Sequence, residues 1–327
     1  MGGHLPSMPS SRVIAVDDKA ENRSPDSPST YRWNSTTIAL LFLIAATLVY
    51  FFGFLKLFSG QRLSTFVWAW QAWNPETNYE HAKLIPLVVA FLIWAARDKL
   101  KAAQIGSSAW SWLFIAAGLF LFFAGARTLQ ARLTLTALPI LLFGIVLYLW
   151  GKQAGRILLF PIAFLLFMVP LNFITQATFR LQFLETGIAS AICNFIGIHV
   201  HTNGTMVNSA DNKFSFEIDE GCSGIRSLMA IAMISAVYAH FTHDRLWKKL
   251  AIFAASLFFA VIGNAGRLVS IFAVARFFGQ DLAGGPYHAI SGYLSFPFAI
   301  AAMVLFGMLL NIKLSKNKPT INEGVAG

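Results

Sequence analysis

The chain is predicted to be an all-α polytopic membrane protein, with about eight transmembrane helices, one interfacial helix and a small extracytoplasmic β element. Three observations carry this reading. Of 327 residues, 56% are hydrophobic and 12% charged, about half the charged share of a soluble domain. Apolar runs of about twenty residues recur along nearly the whole length, and each can cross a hydrocarbon layer of roughly 30 Å at about 1.5 Å per helical residue. The net charge of +10 sits mostly in short loops between those runs, which is the placement of membrane topology and not of a basic face for nucleic acid.

Residues 1–35 are polar and aperiodic, with Pro6, Pro9, Pro25 and Pro28 among several serines, and read as a disordered cytoplasmic tail. No short apolar h-region opens the chain, so the first span is expected to act as an uncleaved signal anchor. The transmembrane domain is placed at 36–315. Its spans are Thr36 to Phe54, Leu84 to Ala96, Trp110 to Ala126, Leu133 to Trp150, Ile157 to Leu171, Cys222 to Phe241, Leu250 to Phe278 and His288 to Ile312, followed by a cytoplasmic tail at 316–327. The apolar segment Phe173 to Ile198 is broken by Gln176, Arg180, Gln182, Glu185 and Asn194 and is expected to lie as an interfacial or re-entrant helix. With the N-terminus inside, Arg97, Lys99 and Lys101, then Lys152 and Arg156, then Arg245, Lys248 and Lys249, and finally Lys313, Lys316 and Lys318 all fall on the cytoplasmic side. A ninth span at 173–198 would reverse half of these.

The one polar insertion of any size is 199–220. Asn203-Gly204 and Asp211-Asn212 are turn formers, and Phe214, Phe216 and Ile218 alternate with Ser215, Glu217 and Asp219. The pattern predicts a small β meander outside the membrane.

Three polar positions stand at the same outer boundary. Cys222, in Glu220-Gly221-Cys222-Ser223-Gly224-Ile225-Arg226, is expected in the first turn of the sixth span, where the positive end of the helix dipole favours a thiolate. A lone cysteine in a membrane protein is more often a packing residue, so its neighbours decide the matter. Arg226 follows one turn further in, and a spanning arginine either snorkels or faces a polar site. Arg267, in Gly263-Asn264-Ala265-Gly266-Arg267, lies eighteen residues after Lys249, roughly 27 Å across, with Asn264 one turn earlier on the same face. A snorkelling anchor is the bland alternative. His288, in Pro286-Tyr287-His288-Ala289-Ile290, opens the last span from the outer side; a solvated interfacial histidine is the bland alternative there. Independent topology arithmetic thus brings Cys222, Arg267 and His288 together, with Glu220, Arg226 and Asn264 as supporting or substrate-binding residues.

The Cys222 motif, Asn264 to Arg267 and the single downstream His288 resemble the three motifs of the exosortase/archaeosortase family, chiefly over residues 215 to 295. The resemblance implies a cysteine protease and transpeptidase in the cell inner membrane, with its active site on the extracytoplasmic side. It acts on exported proteins that end in a short motif such as Pro-Glu-Pro, a membrane helix and a basic cluster. Cys222 would attack the scissile carbonyl, His288 would move the proton, and Arg267 would stabilise the thiolate or oxyanion. A thioester would then pass to a lipid or glycan amine, or to water. No cofactor, metal or nucleic acid is implied.

Other readings are weaker. Intramembrane Arg226 and Arg267 could instead serve a transporter or assembly scaffold for exopolysaccharide or a lipid-linked sugar. His199 and His201, with Asp219 and Glu220 nearby, lack zinc spacing. His240 and His243 straddle a cytoplasmic helix end, and Cys193 reads as packing, though a Cys193–Cys222 disulfide is conceivable and would block the nucleophile. Trp68, Trp70 and Trp73 read as an interfacial aromatic belt.

Overall fold

A computed structural model describes residues 35–57, 63–170, 173–218 and 224–311. Of the predicted tails, 1–35 and 316–327, all but Ser35, which opens the first helix, lie outside these. The chain is mostly helical: α1 (Ser35–Val49) runs on through a π turn (Tyr50–Phe54), followed by α2 (Thr65–Ala72), α3 (Ile85–Ala95), α4 (Arg97–Lys101), α5 (Trp110–Arg127), α6 (Ala131–Leu149), α7 (Gly151–Phe164, extended to Met168 by a 3-10 turn) and α8 (Phe173–Phe195). Three strands follow, β1 (Val200–Asn203), β2 (Met206–Ser209) and β3 (Ser215–Glu217). Then come α9 (Ile225–Thr242), α10 (Leu246–Phe278), the single turn α11 (Gln280–Leu282), a π turn (Ala283–Tyr287) and α12 (His288–Asn311).

Six helices are long and apolar enough to cross a membrane: Trp110–Arg127, Ala131–Leu149, Gly151–Met168, Ile225–Thr242, Leu246–Phe278 and Gln280–Asn311. They correspond to six of the eight predicted spans and make this a multi-pass membrane protein. The other two are helical but shorter; α3 has 11 residues, about 16 Å of helix. The segment at 173–198 forms one 23-residue helix, α8, which is not among the six spans.

Close helix contact in a bilayer depends on small residues, because lipid competes equally for large apolar ones. The α5–α6 hairpin shows this: a Cβ on Gly118 would stand 2.6 Å from Leu141, and one on Gly125 would stand 2.7 Å from the Thr134 backbone nitrogen. Buried hydroxyls supply the polar glue, with Ser256 Oγ donating to Ser235 Oγ at 2.9 Å between α10 and α9.

At 33 residues, α10 measures about 50 Å, well beyond the roughly 30 Å hydrocarbon layer. Its last turns form the platform for the sheet. Strands β1, β2 and β3 pair antiparallel in that order, with both predicted turn dipeptides at the reversals: Gly204 follows Asn203 with φ +68°, and Asn212 has φ +54°. Phe214 and Ile218 are buried while Ser215 and Glu217 are exposed, as the alternation predicts. Val207, Phe214 and Ile218 pack with Leu268 and Phe272 of α10 and with Ala189 and Cys193 of α8. Cys193 is a free, buried thiol. An ion pair between Arg276 Nη2 and Asp211 Oδ2, at 3.2 Å, ties the second turn to the end of α10.

Candidate active site

The sheet end of the bundle gathers the polar side chains of α8, α10 and α12. Glycine 224 caps α9 in the left-handed region, φ +65° and ψ −2°, so the helix begins at Ile225. The described helix thus starts three residues after the expected start of the sixth span at Cys222, because a residue at φ +65° is not part of a right-handed helix. Cys222 and Glu220 themselves lie outside the described residues.

Asn264, on α10, meets this cap. A Cβ on Gly224 would lie 2.8 Å from Asn264 Cγ and Nδ2, so only glycine permits the approach. Asn264 Nδ2 donates to Glu185 Oε2 of α8 at 2.6 Å, and the two side chains are 4% and 1% exposed. One turn further along α10, Arg267 reaches α12. Its Nε donates to Ser291 Oγ at 3.0 Å, and its Nη2 lies 3.3 Å from His288 Nε2 and 3.4 Å from the His288 carbonyl oxygen. A guanidinium has only N–H groups to offer, so in this contact His288 Nε2 presents its lone pair. Ser291 Oγ donates in turn to the His288 carbonyl at 2.8 Å, which locks the first turn of α12 against Arg267. Beside Arg267 a groove of about 460 Å³ runs between α10 and α12, past Gly263, Gly266, Ser270, Ser295 and Phe298. A smaller cavity of about 110 Å³ near Phe52 and Phe122 is lined almost wholly by apolar side chains and has no group for chemistry.

The sequence signature of a family described as transmembrane exosortase matches residues 70–307. The chain belongs to the transmembrane exosortase family. No curated protein and no solved structure matches the chain. The family match covers every helix from α3 to α10, and most of α12.

In this exosortase-family protein, the structure brings Arg267, His288 and Asn264 to one end of the bundle, with Gly224, two residues after Cys222 in sequence, against Asn264. Arg226 turns elsewhere: its Nε donates to Asn78 Oδ1 and its Nη2 to the Pro75 carbonyl oxygen, both at 2.9 Å. It fastens the first turn of α9 to the loop between α2 and α3. Trp73 braces the same loop, its Nε1 donating to the Met168 carbonyl at 2.8 Å. Among the described residues no group of three or more His, Cys, Asp or Glu could hold a metal ion; His199 and His201 are exposed. His240 stacks on Phe160 at 4.1 Å and His243 Nε2 lies 3.2 Å from the Gly307 carbonyl oxygen, both serving helix packing in α9, α7 and α12.

Glu185 is the residue that sequence reasoning missed, noting it only as a break in an apolar run. The available signal was spacing: Gln182, Glu185, Thr186 and Ser190 share one helix face, and all four are buried. Burial pushes the Glu185 carboxyl up to about 8, against the pull of the Asn264 hydrogen bond and the Arg267 charge. The folded chain therefore holds a proton that the unfolded chain releases. That contribution is complete below pH 4.5 and lost as pH rises through about 8. Thermal melts in detergent are expected to show the wild type losing about 5 °C more between pH 6 and 9 than Glu185→Gln, which carries no titrating proton. Equal losses in the two proteins would contradict this assignment.

Proposed function

We propose that this member of the transmembrane exosortase family is a cysteine protease and transpeptidase of the cell inner membrane. It cuts the C-terminal sorting tails of exported proteins on the extracytoplasmic side. The observation that supports this best is the Arg267–His288 contact, at 3.3 Å, in the cluster whose Asn264 abuts Gly224, two residues after Cys222.

Cys222 Sγ attacks the scissile carbonyl carbon, and His288 accepts the thiol proton at Nε2, the nitrogen that Arg267 Nη2 gives up as it turns to the substrate. Charge collects on the former carbonyl oxygen, and Arg267, still held by Ser291 through Nε, offers N–H donors where it develops. Collapse of the tetrahedral intermediate breaks the C–N bond, and His288 returns the proton to the leaving amine of the tail. The thioester on Cys222 is then opened by an amine of a lipid or glycan acceptor, or by water, which regenerates the thiol. Substrates carry a short motif, a membrane helix and a basic cluster, so that the helix holds the scissile bond at the membrane boundary.

The test is a reporter ending in such a tail, incubated with the purified protein in detergent. A thiol alkylator is expected to stop cleavage and a metal chelator to leave it unchanged. The reverse pattern would favour metal-dependent hydrolysis. An intact reporter in every condition, alongside lost polymer export on Arg267→Ala in cells, would favour a transporter or assembly scaffold for exopolysaccharide.

A further inference from the structure

We infer that the groove between α10 and α12 is a phospholipid site, in which Arg267 takes the phosphodiester of the headgroup and the deep end takes an acyl chain. The inference goes beyond peptide cleavage and does not depend on it.

The groove is polar at one end and apolar at the other. Arg267 meets His288 and Ser291, while Gly263 faces Ser295 and Ala299, so its two walls run antiparallel. At the sheet end the lining is Arg267, Ser270, Tyr287 and Ser291, and at the deep end it is Ile262 and Phe298. From Ser270 to Ile262 the α10 wall descends about 12 Å. Ile262 is 41% and Phe298 62% exposed, and at this depth exposure means contact with hydrocarbon. Gly266 opens the wall between the two ends: it is exposed, and a Cβ there would meet nothing within 4 Å. The volume of about 460 Å³ falls within the roughly 300–1,000 Å³ of small-molecule sites.

The polar end carries an unspent charge. A guanidinium has five N–H donors. Arg267 uses Nε on Ser291 and Nη2 on His288, whereas Nη1 donates to no partner among the described residues. The partners it has are uncharged. Glu185, whose carboxylate would attract Arg267, is kept mostly protonated at neutral pH because burial lifts it to about 8. Arg267 stands about 27 Å along α10 from Lys249, close to the edge of a roughly 30 Å hydrocarbon layer. That is the depth of lipid phosphates, and a cation held there needs an anionic partner.

Of the possible occupants, only a lipid suits both ends. A peptide helix entering from the sheet side would bring its N-terminus, the positive end of its dipole, towards Arg267. A free phosphate would fill the polar end and leave Ile262 and Phe298 uncovered. In a glycerophospholipid the phosphodiester oxygens accept charge-assisted bonds from Nη1, and an acyl chain follows the wall past Gly266 and Gly263 to Phe298.

The test uses the full-length protein in a nonionic sugar detergent, stripped of lipid. Phosphatidylglycerol with a photoactivatable group part-way down one acyl chain is added, and labelled peptides are located by mass spectrometry. Label is expected in 262–270 and 291–298. Unlabelled phosphatidylglycerol is expected to compete at least about tenfold better than diacylglycerol, which lacks the phosphate, or inorganic phosphate, which lacks the chains. Arg267→Gln is expected to lower groove labelling about tenfold or more, the scale of a lost hydrogen bond to a charged group. Gly266→Leu, whose side chain enters open space, is expected to lower it as much by filling the groove. Background label on the exposed face of α5 at Phe120 should stay constant in both variants.

Diacylglycerol competing as well as phosphatidylglycerol would remove the phosphate contact, and inorganic phosphate competing as well would leave a bare anion site; either result overturns the inference. So does wild-type groove labelling in Gly266→Leu or Arg267→Gln. Stronger displacement by the membrane helix of a tailed reporter than by phosphatidylglycerol would make the groove a peptide seat and overturn it too. If Arg267→Gln does not accumulate, the competitor series on the wild type and Gly266→Leu decide the matter. No arm requires turnover, so failure here is distinct from failure of the cysteine mechanism, which is read on reporter cleavage.

Discussion

Cys222→Ala is expected to leave the protein in the membrane while cleavage of a tailed reporter falls by at least about 10³-fold, the scale at which loss of a nucleophile is felt. No second thiol can take over. The chain has two cysteines, and the other, Cys193, is fully buried between α8 and the sheet. Burial pushes its thiol up to about 11, so its thiolate is scarce at neutral pH. Cys222→Ser is expected to be nearly as slow, since a hydroxyl beside the same imidazole is a weaker nucleophile than a thiol. The measurement is the appearance of cleaved reporter per molecule of membrane-inserted enzyme, and cleavage by Cys222→Ala at the wild-type rate would contradict the mechanism.

Arg267→Lys is expected to cost about 10²-fold in kcat with little change in KM. Lysine keeps the charge, but its ammonium is one point on a flexible stem. Arg267 uses a planar group to reach Ser291 Oγ, His288 Nε2 and the His288 carbonyl together. On the proposed mechanism, losing that fork removes donors for the developing oxyanion, which mutagenesis elsewhere values at about 10²- to 10³-fold, and it frees the imidazole to turn. Arg267→Ala should be slower still. A lysine variant within about threefold of the wild type would show that charge alone suffices and that the observed hydrogen bonds are incidental to turnover.

The parts legible in the sequence were those set by local composition. A helix in lipid must satisfy its own backbone groups and face hydrocarbon with apolar side chains, so the six long helices announce themselves. The meander follows from two turn dipeptides and a period of two. Placing Arg267 and His288 at one boundary needed only the rise per residue along α10 and α12. What escaped depends on partners far apart in sequence. Arg226 looked like a site residue because nothing local shows that Asn78 and Pro75, about 150 positions earlier, receive its guanidinium. Glu185 looked like a mere break in an apolar run because its partner, Asn264, lies 79 residues on. The described start of α9 falls three residues past the expected one for a local reason: Gly224 can be read as helical or left-handed, and in the structure it is left-handed, packed against Asn264. The 33-residue length of α10 also hid the change from membrane span to sheet platform within one continuous helix.

The account depends on Cys222 and His288 standing close enough to share a substrate carbonyl. With Cys193→Ala removing the other native thiol, His288→Cys leaves two cysteines for a short thiol-to-thiol cross-linker, and His240→Cys, at the far end of α9, provides the control pair. Mass spectrometry of the linked peptides is expected to show efficient joining of position 222 to 288 and none of 222 to 240. If both cysteines of the first pair react singly with the reagent yet never join, the proposed site does not exist.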